Sequence, residues 1–349
     1  MKYISKIFII TFTLVIFSTC SVFLGPEPEN TPMGIFDAIW NDFDRTYGLF
    51  DHKNINWNQI YDTYVNQIHS DMSERELFNV CSGMLGELND AHVSLSSYFA
   101  FFNSGGRLDP SVKEPFSLDL VTGKYLKDDY VKTGDEMFVY GRFKTNPSVG
   151  YIFISGFFHG DNTGGNQDWI NAIDNIIGSL SDTEALVLDI RGNRGGLPGN
   201  LEYIASRFIA EEKDYMSSAT RNGPGKNDFS PPVVYTISPS GTTYTKPIAL
   251  ITNLQTISAG EWFTAAVLTQ DHIRHTGSAT CGAFSLALRR FLVNGWSYAV
   301  SVQTVRDMNG VCHEETGIVP HASHIKQNTD SNIEAGNDDQ LEYALSILQ

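Results

Sequence analysis

Apolar residues first recur with helical spacing just after residue 30. Ile35, Phe36, Ile39, Trp40, Phe43 and Tyr47 form one stripe, preceded by Thr31-Pro32, a cap followed by a first-turn proline. A second stripe holds Trp57, Ile60, Tyr61, Tyr64, Val65 and Ile68. A third opens with the capping box Ser73-Glu74-Arg75-Glu76 and carries Leu77, Val80, Cys81, Met84, Leu85 and Leu88 on one face. These stripes predict a small N-terminal helical domain over residues 31–97. Residues 98–148 mix polarity, scattered glycine and weak alternation, and read as a connecting or capping segment of short strands and loops.

From residue 149 the period switches back and forth. "GYIFISGFF", "ALVLDI" and "PIALIT" are continuous apolar runs of the kind that fill buried strands. Helical stripes follow each: Trp169, Ile170, Ile173, Ile176, Ile177 and Leu180; then Leu201, Ile204, Ala205, Phe208 and Ile209; then the segment opened by Ser258. Repeated strand-helix units predict an α/β core over residues 149–349. Two alternating runs flank Asn294-Gly295, a strong hairpin signal, and "DDQLEYALSIL" closes the chain as a short helix.

Composition narrows the function. A hydrophobic content of 42% allows a sizeable core, and a formal net charge of -16 speaks against nucleic acid as a partner, because phosphate binding needs clustered Lys and Arg. The basic start, the apolar stretch "IFIITFTLVIFSTC" and the small residues near its end have the layout of a secretory signal over residues 1–20, with residues 21–30 as linker. Phe17-Ser18-Thr19-Cys20 resembles a loose lipoprotein box with Cys20 as the lipidated residue; cleavage elsewhere, or an uncleaved anchor, are the alternatives. The expectation is an exported protein of the periplasm, outer membrane or cell surface, touching membrane only through that lipid or anchor. Three cysteines remain: Cys81 lies on a core stripe, while Cys281 and Cys312 could pair.

Three loops offer groups that acyl transfer needs. In "LNDAHVSL" His92 leaves the third helix for a strand; in "LDIRGNRGGLPGN" Gly192, Gly195, Gly196 and Gly199 let backbone N–H groups turn toward a ligand; and Ser258 stands at a helix N-terminus. A serine there can cap the helix. It can also be a nucleophile whose oxyanion is stabilised by exposed amides and the positive helix end, provided a base activates it. G-x-S-x-G is absent, so the α/β-hydrolase elbow does not apply. No paired Cys/His spacing or H-E-x-x-H is present, so neither a metal nor a cofactor is expected.

"LVLDIRGNRGG", "ITNLQTISAGEWF", "LNDAHVSL", "EETGIVP" and "DDQLEYAL" together resemble the S41 serine peptidases, the family of the C-terminal processing and tricorn-type proteases. "IFDAIWNDFDRTYGLF" with "INWNQIYDTYV" looks like the N-terminal helical part of its tricorn-like exported members, which lack a PDZ domain; none is apparent here between His92 and Gly150. The resemblance implies a ClpP/crotonase-like spiral core in the α/β (α+β) class. It implies that Ser258 is the nucleophile and that the Gly196 and Ala259 amides form the oxyanion hole, with Gly195 as an alternative. The processing branch uses a lysine base where this chain has Ala283; the tricorn-like branch uses a histidine in D-x-H, matched by Asp90-Ala91-His92. The tricorn enzyme has a serine just before that histidine, and Ala91 leaves this polar helper out. The segment E-x-x-G-I-x-P places Glu314 in the relay, with Glu315 as the alternative. Glu261 is expected to support the Ser258 turn, and Asp189 with Arg191 to hold the glycine loop as a buried charge pair.

The function so implied is an exported serine peptidase acting on unfolded or short polypeptides through an acyl-enzyme. The competing function is an inactive S41-like module that binds a peptide or apolar ligand in the same cleft. Acyl-CoA chemistry, suggested by the likeness to crotonases, is disfavoured by the nucleophile-base pair.

Overall fold

In the computed structural model, which describes residues 29–105, 114–133, 136–158 and 168–348, the three N-terminal stripes are helices. The expected signal segment and Cys20 lie outside the described residues. Helix α1 (Pro32–Thr46) is capped by Thr31, whose Oγ1 accepts from the Gly34 amide at 3.1 Å. Helix α2 (Trp57–Tyr64) is locked to α1 by reciprocal indole bonds: Trp40 Nε1 donates to the Trp57 carbonyl and Trp57 Nε1 to that of Trp40. Helix α3 (Glu74–Gly86) begins at the reciprocal box between Ser73 and Glu76. Its inner face, with Cys81 fully buried, packs on Ile35, Phe36, Ile39 and Phe43.

These helices do not close their core alone. Strand β1 (Ser94–Ser96) pairs with β2 (Phe101–Asn103) on one side and, on the other, with a hairpin from far along the chain. That hairpin, β11 (Ala287–Phe291) and β12 (Ser297–Ser301), turns at Asn294-Gly295 as the alternation predicts and completes an antiparallel sheet of order β11-β12-β1-β2. Leu95, Tyr298 and Val300 point inward with Trp296 and Leu292 and fill the helical core. The outward partners Ser94, Ser96, Ser297 and Ala299 are only partly buried, the period-two alternation of a one-sided sheet.

The second sheet has six strands in the order β10-β9-β6-β5-β4-β3. Its central members β5 (Val149–Ile154), β6 (Ala185–Asp189) and β9 (Ile248–Thr252) are the three apolar runs read above, and with β10 (Ile273–Gly277) they run parallel. Strands β3 (Val131–Thr133) and β4 (Phe138–Arg142) extend the sheet antiparallel. Both faces are covered, which is why the strand sequences are apolar throughout. One face packs on α4 (Asp168–Ser179), α5 (Pro198–Ala205) and α6 (Ala259–Val267); the other packs on Val121, Leu126 and the closing helix α7 (Asp339–Ser346).

A third sheet, β13-β7-β8, joins β7 (Lys213–Thr220) to β8 (Val233–Ile237) and to β13 (Gln303–Asp307). Residues 210–247 carry no decisive period, and β7 finds its partner β13 more than eighty residues away, so local pattern could not announce it. Cys281 and Cys312 are both free thiols, so their pairing does not occur.

Candidate active site

The loops after β6 and β9, adjacent parallel strands, leave the same end of the sheet, where open α/β sheets gather their ligands. Between β9 and α6 the backbone at Ser258 takes φ 59 and ψ -122, a left-handed conformation that costs a side-chain-bearing residue energy. Its surroundings over-determine it. The Ile257 amide donates to the Asn193 carbonyl, Thr256 Oγ1 donates to the Ile190 carbonyl, and the Ser258 N–H donates to Glu261 Oε2 at 3.0 Å. Glu261 is fully buried, and its carboxylate also accepts from the amides of Gly282 and Ala283 and from Thr280 Oγ1. Burial outweighs these donors and pushes the Glu261 carboxyl up to about 7. Glu261 therefore does the turn-supporting work the sequence suggested.

The glycine loop is anchored from below. Arg191, with no exposure, forks onto Asp189 and reaches Asp338 at 2.8 Å and Gln340 at 3.1 Å, which ties the closing "DDQ" segment to the loop. Asn193 Nδ2 donates to the Ile154 carbonyl, and Asn193 Oδ1 accepts the Gly195 amide. Gly196 pairs with Phe157 through the Gly195 carbonyl and the Leu197 amide, which turns its own N–H to the other side. Gly195 has φ 81, and a Cβ there would lie 2.8 Å from the Ala259 nitrogen, the Ile257 oxygen and Ser258 Cβ. The loop and the serine turn are thus in direct backbone contact. Among the described residues the N–H groups of Gly196 and Ala259 meet no acceptor, whereas that of Gly195 is committed to Asn193.

Gly196 has φ 141, and a Cβ would lie 2.2 Å from the Phe157 carbonyl carbon. Gly196→Ala is therefore expected to destabilise the fold by about 3 kcal/mol, since both the backbone angle and the close approach exclude a side chain. A urea titration checks this, and a midpoint unchanged from the parent would refute it.

His92 arrives from the helical side. Asp90 Oδ1 accepts the His92 amide at 2.8 Å, Asp90 Oδ2 accepts the Tyr47 hydroxyl at 2.9 Å, and Asn103 Nδ2 bonds the Ala91 carbonyl. Ala91 packs against Ile257, Cys281 and Ala283. The His92 loop and the Ser258 turn thus abut through an apolar contact in which Ala283 is buried. Among the described residues no hydrogen bond joins the Ser258 hydroxyl to the imidazole, and His92 Nδ1 has no partner. Burial draws the His92 pKa below its ordinary value, against the opposing pull of Asp90 and of the Ser285 carbonyl that faces the ring. The ring is therefore neutral at neutral pH, the state a general base requires.

Glu314 and Glu315 separate sharply. Glu314 is buried, and its Oε1 accepts the amides of Phe284 at 3.1 Å and Ser285 at 2.6 Å. Burial, with repulsion from Asp90 and Glu261, raises its carboxyl well above the usual range. Glu315 is exposed and pairs with Lys53. Ser285 links Glu314 to His92, because its amide bonds one and its carbonyl faces the other. Sequence reasoning missed Ser285, Asn193 and the charge of Asp90 beside the ring; only the D-x-H spacing hinted at the last.

Residues 148–324 match peptidase family S41, and residues 28–86 match the tricorn protease C1 domain. The chain is 29% identical over 182 residues to the carboxy-terminal processing protease CtpB of Bacillus subtilis, a match covering 52% of this chain and 34% of that protein. The chain thus spans about a third of the length of that curated relative. A crystal structure of a candidate peptidase from Parabacteroides merdae superposes with a TM-score of 0.80 at 28% identity, covering 92% of this chain and 97% of that one. Mature CPAF complexed with lactacystin superposes with a TM-score of 0.69 at 13% identity, over 91% of this chain and 97% of that one, a likeness of fold alone.

Proposed function

Since the chain belongs to peptidase family S41, we propose that it is an exported serine peptidase that cleaves unfolded or short polypeptides through an acyl-enzyme on Ser258. Ser258 Oγ attacks the scissile carbonyl carbon, and His92 takes the hydroxyl proton. The carbonyl oxygen, now negative, receives the N–H groups of Gly196 and Ala259 at the positive end of α6. His92 then returns the proton to the leaving amine, and a water repeats the sequence on the ester. Glu314 orients the ring: it fixes the Phe284 and Ser285 amides, and the Ser285 carbonyl faces the imidazole. Export and attachment at Cys20 rest on the N-terminal sequence pattern.

One observation carries the proposal. A strained serine at a helix start lies against a glycine loop, and the two amides beside it have no acceptor among the described residues. The test is labelling of the intact protein with a fluorophosphonate probe and mapping of the modified residue. Label on Ser258 that is lost in His92→Ala supports the peptidase; a folded protein that takes no label is instead the peptide-binding module. Glu314→Gln should slow labelling by on the order of tenfold, while Glu315→Gln, an exposed change, should leave it within about twofold. Equal effects of the two would remove Glu314 from this role.

A further inference from the structure

We infer that Arg194 makes the cleft selective for polypeptides with a carboxylate close to the scissile bond, an inference that rests on the peptidase reading of the same site. Within the glycine loop every neighbour of Arg194 has structural work. Asp189 and Arg191 form the buried pair, Asn193 bonds Ile154, Ile257 and Gly195, and Gly195 contacts the serine turn. Arg194 has none: it is exposed, and among the described residues its guanidinium forms no hydrogen bond or ion pair. Arg45 and Arg289 are likewise exposed and unbonded among the described residues, but of these three Arg194 alone lies in the glycine loop.

Its place in the backbone gives the consequence. The residue before it bonds the Ile257 amide, and the residue after it would collide with Ser258 if it had a Cβ, so Arg194 emerges beside the serine and the Gly196 amide. The buried carboxylates Asp90, Glu261 and Glu314 belong to the His92 and α6 side. Around the serine, among the described residues, the unpaired N–H groups of Gly196 and Ala259 and the start of α6 are joined by the Arg194 guanidinium, whose planar fork matches a carboxylate. Phe158 and Leu197, 39% and 45% exposed, flank the Phe157–Gly196 pairing and offer apolar contact next to that charge. The favoured ligand is an apolar peptide with a carboxylate within a residue or two of the cut, carried by an Asp or Glu side chain or by the chain terminus.

The test uses binding, so that it does not depend on turnover. Dye-labelled peptides with Glu, Gln or Lys at each position of an Ala-Leu host, with free or amidated C-termini, are titrated by fluorescence anisotropy against the full chain carrying Ser258→Ala. Acidic peptides should bind about tenfold tighter than their Gln counterparts at low salt, and less so as salt rises. Arg194→Ala should erase the difference, Arg194→Lys retain part of it, and Arg194→Glu turn it toward Lys. A preference for the free over the amidated terminus locates the carboxylate at the chain end; a preference for internal Glu locates it on a side chain. Equal binding of acidic and neutral peptides, no peptide binding, or a preference that survives Arg194→Glu overturns the inference. Arg194-dependent binding of acidic peptides that the parent protein never cleaves upholds it and refutes the peptidase reading instead.

Discussion

Ser258→Ala and His92→Ala are each expected to lower peptide turnover by on the order of 10⁴-fold, with the double variant no worse than either one. A hydroxyl without its base and a base without its hydroxyl fail in the same step, so the losses do not add. The protein should stay folded in both. The Ser258 turn is held through its backbone N–H on Glu261, and alanine at φ 59 has no more strain than serine. Residual turnover in both variants would come from the proposed oxyanion amides of Gly196 and Ala259, which neither change removes.

The pH profile carries a sign. Burial holds the His92 pKa below its ordinary value, so the neutral base persists into mildly acidic solution, and the acidic limb of fluorophosphonate labelling should fall below about pH 6.5. Asp90→Asn removes the charge that supports the imidazolium and should move that limb lower still. Additive losses in the double variant, or a limb above the ordinary histidine value, would mean that Ser258 is served by another base.

Arg191→Met is expected to destabilise the fold by about 4 kcal/mol, the largest effect on stability anticipated here. Arg191, Asp189 and Asp338 are all fully buried, and one guanidinium compensates two carboxylates. Methionine keeps much of the volume and leaves those charges unpaired. Burial alone would raise the Asp338 carboxyl, but Arg191 and the bonds from Asn328 and the Leu341 amide hold it below the usual value. A depressed carboxylate adds stability above its unfolded value and loses it as pH falls. Without Arg191 burial prevails, the carboxyl rises, and the penalty grows with pH above about 4. Urea titrations should therefore show a larger gap between variant and parent at pH 7.5 than at pH 5. A pH-independent gap below about 1 kcal/mol would show that the charges are solvated after all.

Much of the fold was legible because its signals are local. The caps at Thr31 and Ser73, the apolar runs of β5, β6 and β9, and the Asn294-Gly295 turn each depend on residues within a few positions of one another. The serine, the histidine and the glycine loop were equally visible as motifs. The pairing of β7 with β13 was not, nor was the closure of the helical core by β11 and β12. Those contacts join segments separated by eighty to two hundred residues, and neither strand's period names its partner.

By itself the sequence determined the α/β strand-helix alternation, the helical unit before it and the residue types available for acyl transfer, since these follow from periodicity and spacing. Only the tertiary structure decided which of two adjacent glutamates is buried, that among the described residues the Gly196 and Ala259 amides lack acceptors while that of Gly195 has one, and that Ala91 brings the His92 loop against Ile257 in the Ser258 turn. Burial, free hydrogen-bonding groups and shifted pKa values belong to contacts between distant segments, and neighbours in sequence such as Glu314 and Glu315 acquire opposite surroundings when the chain closes around one of them.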